Sequence, residues 1–357
     1  MPSALSPPSH AVSSRLEMMK PEILNLDPDG DVVFTLMRYF DYDDISDLDA
    51  ANGSPSPPKA PATDLKSLTK FNDEEDVCSH EQEVIIRVSS RHLILASSVF
   101  RAMLKRKFSE SNALHMNGSV EVPLPEDDPD AFLILLNIIH GYFGRVPRTI
   151  DFQTFAQISI LVDKYDMHEA GQLFSHFWFE NLKPDIPKAY TDDIPAWICI
   201  CWVFNKPEEF KHTTSLALRQ GTVEIALGDL PIPSAIVDTI NTRRLDALTK
   251  IITTLLMHHE DYLQSEHCSF ECDALMLGSL TKRLTTLHLL PKCPDPPFNG
   301  LCFEAFAYRF KGGMYFPAAQ RTSIYYYNHS KCAIPSIDPM LSRCEKQLEG
   351  LDLNDYK

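Results

Sequence analysis

Residues 83–111, EVIIRVSSRHLILASSVFRAMLKRKFSES, change hydrophobic period within one short run, and that change restricts what the chain can fold into. Val84, Ile86 and Val88 alternate, so on a strand they share one buried face. Beyond them the apolar residues take helical spacing: Leu93 and Ile94 follow Ser90, and Phe100, Met103, Leu104 and Phe108 follow Ser97. Serine is a preferred N-cap because its hydroxyl accepts a backbone N–H left free in the first turn. The run therefore predicts a strand, a short helix and an amphipathic helix, with Ser90 and Ser97 as caps.

The flanking segments extend this pattern. Residues 31–36, DVVFTL, read as a second strand, expected in one sheet with 83–88 although about forty residues intervene. That intervening stretch, 41–80, contains DYDDISDLDA and NGSPSPPKAP and little periodic apolar content, so it reads as a disordered acidic insertion. Closing such a loop is tolerable, since each doubling of length costs only roughly 0.6 kcal/mol. Residues 1–28, rich in Ser and Pro apart from an apolar stretch around Ile23 and Leu24, are expected to be disordered. Val120, Val122 and Leu124 alternate as a strand; Asp128 before Pro129 starts a helix bearing Phe132, Leu135, Leu136 and Ile139, and Gly141 stops it. Two more helices are expected, with stripes Phe155, Ile158, Val162, Tyr165 and Ala170, Leu173, Phe174, Phe177.

The order hydrophobic strand, HL at 92–93, SSVFRAML at 97–104 and FxE at 108–110 resembles the BTB/POZ domain, especially its fungal form. Gly30, Asp31 and Val32 are similar to the start of that family's first central strand. The resemblance implies an α+β domain over 29–182, a small sheet flanked by helices, that self-associates as a homodimer or recruits partners without catalysis. In family members that bind cullins, a hydrophobic residue and a Glu two positions on lie beyond the second helix of the core; Phe108 and Glu110 match. The implied function is a protein–protein interaction adaptor or scaffold, including a substrate adaptor for a cullin ubiquitin ligase. The alternative is a transcription or chromatin regulator that uses the same contacts without a ligase.

Strand signals nearly vanish from residue 184 onward. Helices are expected over 194–204, from Pro207, over 234–264 with Leu245, Leu248, Ile252, Leu255, His259 and Tyr262 on one face, and from Asp273 with Leu277, Leu280, Leu284 and Leu287. This mainly α-helical domain, 183–345, resembles the BACK-like extension that often follows BTB domains, and 346–357 reads as a C-terminal tail. Cys199 and Cys201, at apolar positions, read as core. A structural zinc site is expected from Cys268 and Cys272 (CxxxC) with His329 and Cys332 (HxxC), because zinc takes four thiolate or imidazole ligands and short-spaced pairs commonly supply them. Cys293, Cys302, His267 and His288 remain rival ligands.

The net charge of −16 opposes direct binding of nucleic acid or anionic membrane. Nine cysteines, without a signal-peptide pattern, read as reduced thiols or metal ligands, which places the chain in the cytoplasm, the nucleus or both. GxSxG, GxxxxGKS/T, HExxH and GxGxxG patterns do not occur, so no catalytic or organic-cofactor residues are assigned and the chain is expected not to be an enzyme.

Overall fold

The structure, a computed structural model, describes residues 19–40, 80–105, 108–226, 228, 230–312 and 334–357. The chain divides into two compact units, Met1–Leu182 and Lys183–Lys357. Among the described residues the first unit is mixed α/β around a four-stranded sheet and the second is helical. The acidic insertion expected at 41–80 lies outside the described residues, except His80, which opens a strand.

The sheet has the order β1-β3-β2-β4, with β1 (Glu22–Asn25), β2 (Val32–Phe40), β3 (His80–Val88) and β4 (Val120–Pro123). β2 and β3 pair antiparallel from Val32 opposite Val88 to Phe40 opposite His80, so the two expected strands do join across the insertion. β1 runs parallel to β3, and β4 parallel to β2. Alternation buries Val32, Phe34, Leu36, Val84, Ile86, Val88, Val120 and Val122 on one face. The expectation of disorder over 1–28 is corrected at Glu22–Asn25. Only Ile23 and Leu24 hinted at this strand, which gains its hydrogen bonds from β3.

Helices α1 (Ser90–Ala96), α2 (Ser98–Lys105), α3 (Ser109–Asn117), α4 (Pro129–Ile139), α5 (Phe152–Lys164) and α6 (His168–Leu182) complete the unit. Ser97 caps α2 as expected, its hydroxyl accepting from Phe100 N–H at 3.0 Å. Asp128 caps α4 the same way, accepting from Ala131 N–H at 2.7 Å. Ser90 is not a cap. It lies inside α1, and both its N–H and its hydroxyl donate to the Asp31 carboxylate at 2.7 Å, tying the helix start to the mouth of β2. Rings of Phe34, Phe100, Phe132 and Tyr165 fill the core, the last stacked on Phe100 at 4.6 Å. The Tyr165 hydroxyl donates to Asp127, which also pairs with Lys164 at 2.6 Å.

Helix α6 turns a different face inward from the one expected. Leu173 and Phe177 are 63% and 55% exposed, whereas Gly171, Ser175, Trp178, Phe179 and Leu182 are buried. Two stripes compete at helical spacing, and the one with Trp178 wins: it buries the largest ring, whose indole N–H also reaches Pro147 O at 3.0 Å.

The second unit comprises α7 (Ile194–Val203), α8 (Pro207–Gln220), α9 (Ser234–Gln264), α10 (Phe270–Thr286), α11 (Phe303–Phe310) and α12 (Asp338–Gln347). The span of α9 is the expected one, with Leu248, Ile252, Leu255 and Tyr262 buried. Cys199 and Cys201 are core, as read. The 346–357 segment is more than a tail: Leu348, Leu351 and Leu353 are buried, and Leu351 N–H donates to Thr214 Oγ1 at 2.9 Å. Gly350 is required there, because at φ +108° an added Cβ would sit 2.1 Å from Lys211 O.

Arg244 on α9 is only 1% exposed and spends its guanidinium on backbone carbonyls. Nε donates to Gly221 O at 2.9 Å and Nη1 to Pro297 O at 3.1 Å. Nη2 lies 3.0, 2.9 and 3.4 Å from the carbonyls of Thr222, Leu301 and Phe298. Arg244→Met should therefore destabilise the chain by roughly 3 kcal/mol or more, since a shape-filling side chain leaves those acceptors without their donor. Chemical denaturation of the full chain measures it; an unchanged midpoint refutes the assignment.

His140, at the end of α4, is a second sensitive point. Its Nδ1 faces Leu136 O at 2.8 Å and carries the proton, while Nε2 accepts from Ser89 N–H at 3.2 Å. Burial, with the His92 ring at 4.6 Å, holds its pKa below the ordinary histidine value. The unfolded chain then takes up the proton first as pH falls. The contribution of His140 to stability is full above about pH 6.5 and is lost as pH drops toward the depressed folded value. His140→Gln should remove this part of the acid slope, read as the difference between the two pH–stability curves.

Candidate partner-binding site

Helix α2 ends at Lys105 and Phe108 takes the N-cap position of α3, with extended backbone at φ −90° and ψ 165°. That break takes Phe108 out of the expected α2 stripe. Phe100 and Leu104 stay buried, but the Phe108 ring is 52% exposed. Glu110 follows in the first turn of α3, where a carboxylate is favoured by the helix dipole, and accepts a hydrogen bond from Ser109 Oγ at 2.9 Å. Asn112 N–H donates to Phe108 O at 3.1 Å and Ser111 is buried, so the turn that presents Phe108 is anchored from its other side. At the far end Gly118 closes α3 in the left-handed region, at φ +75°.

The arrangement is an apolar ring and a carboxylate raised on a fixed helix start, suited to docking. Met116 on the same helix is 85% exposed. It has no periodic apolar neighbours in SESNALHMN, so no stripe draws attention to it.

The expected zinc ligands are only half in view. Ser269 caps α10, its hydroxyl accepting from Cys272 N–H at 3.4 Å, which places Cys268 and Cys272 around one helix start. Cys268 is exposed and Cys272 half-buried. His329 and Cys332 lie outside the described residues. The rival His267 is engaged with Asp261 at 3.1 Å and lies tilted against the Tyr262 ring, 4.4 Å between centroids. Among the described residues no group of three or more His, Cys, Asp or Glu side chains is arranged to hold a metal. A pair of thiols flanking one helix N-cap is half of a tetrahedral donor set. If the CxxxC and HxxC pairs meet, protein purified without chelator carries about one zinc per chain, and the Cys268→Ser, Cys272→Ser double variant carries none; elemental analysis showing metal-free wild-type protein rejects the site.

No helix among the described residues is long and apolar enough to cross a membrane. Comparison with protein-family models, with curated proteins and with solved structures finds no match.

Proposed function

We propose that this chain is a non-enzymatic protein–protein interaction adaptor of the BTB type, whose first unit docks a cullin through Phe108 and Glu110. The observation that carries the reading is the half-exposed Phe108 ring at the start of α3, where burial on its own helix was the competing expectation. An aromatic side chain exposed at a fixed helix start, like the Tyr39, Phe143 and Phe177 rings also left in water on this unit, is the kind of anchor that dominates interface energetics, worth roughly 2 kcal/mol or more once covered. The surrounding order also supports it: an antiparallel strand pair, three short helices, a returning parallel strand and further helices. Self-association through the first unit belongs to the same reading, and the helical unit would carry client contacts.

Changing both Phe108 and Glu110 to Ala should abolish copurification of a cullin from the native cell without lowering the melting temperature, because neither side chain supports the core. Retained cullin binding by the folded variant would sink the cullin reading. Recovery of a nuclear corepressor assembly with no cullin would favour the regulator alternative.

A further inference from the structure

The face shared by α9 and α12 collects cations in a chain of strongly negative charge. Arg243 and Lys250 on α9 line a groove with Gln347 of α12, and Arg343 joins them from α12 over a floor of Met340 and Cys344. Among the described residues none of these three cations has a carboxylate within ion-pair distance, unlike Arg38, Lys183, Arg219 and Lys311, which each have at least one. Arg343 Nε donates only to Pro339 O, along its own helix. Helix α12 divides its charge. Glu345 is used internally, 3.0 Å from Lys311 and 4.0 Å from Arg219, while Arg343 borders the groove.

The spacing says what would fit. Arg243 and Lys250 are two helical turns apart, about 10 Å along the axis, which matches side chains three residues apart on a polyproline-II peptide, where every third side chain shares a face at ~3.1 Å per residue. Asp246 lies between them on the same helix and repels an anion placed midway. Spaced carboxylates therefore suit the groove better than the continuous phosphates of a nucleic acid, one of which would fall beside Asp246. The hydroxyls of Thr249 and Thr253 add neutral donors along the path.

We propose that the groove between α9 and α12 binds an extended, carboxylate-rich peptide segment of a partner protein, with Arg243, Lys250 and Arg343 receiving its acidic side chains. This surface belongs to the second unit alone and does not depend on the BTB reading.

The test uses the full chain and a fluorescein-labelled peptide of Glu-Pro-Ser repeats, kept extended by its prolines, with a Gln-Pro-Ser repeat as control. Fluorescence polarisation should show saturable, salt-sensitive binding of the acidic peptide only. Lys250→Glu with Arg343→Glu should weaken it at least about tenfold, while Lys282→Glu, exposed on α10, leaves it unchanged and circular dichroism shows all variants folded. Absence of saturable binding, equal binding of the Gln peptide, unchanged affinity in the double variant, or preference for an RNA oligonucleotide of equal charge would each overturn the proposal.

Discussion

The antiparallel pairing of β2 with β3 is the constraint on which the first unit depends. Its register, from Val32–Val88 to Phe40–His80, brings together the two ends of a long insertion and sets which side chains face inward. A slip of β3 by one residue would turn Val84, Ile86 and Val88 outward together. Everything else is hung on this pair: β1 and β4 extend it on opposite sides, and Asp31, beside the first residue of β2, holds the start of α1. The aromatic cluster of Phe34, Phe100, Phe132 and Tyr165 then links sheet to helices.

The second unit solves a different problem. With no strands among its described residues, it lacks a ladder to order its connecting segments, and Arg244 does that work from within α9. A guanidinium offers five N–H donors in a fixed plane, so one side chain can gather carbonyls from the segments at 221–222 and 297–301. The charge is buried beside carbonyl oxygens instead of an acid, which makes the site a fastening for backbone. The final residues are drawn in likewise, because Gly350 lets the chain approach Lys211 closely enough for Leu351 and Leu353 to be buried.

Both candidate interaction surfaces arise at places where internal demands are already met. Phe108 is released to solvent because Phe100 and Leu104 suffice to seat α2. Arg343 is free because Glu345, two residues away, is the member of α12 that satisfies Lys311. Side chains that the fold does not need are the ones that can engage a partner without loss of stability.

Periodicity alone determined the core strands, the extents of α4 and α9, the caps at Ser97 and Asp128 and the all-helical character of the second unit, because each follows from near neighbours in the chain. Tertiary structure decided the rest. Ser90 lost its cap role to a carboxylate from another strand, β1 formed only because β3 offered an edge, and α6 chose between two stripes according to where Trp178 could be buried. The exposure of Phe108 belongs to the same class: the apolar spacing continued through it, but the helix did not. Local sequence states what a segment can do, whereas competition for partners distant in sequence settles which option is taken.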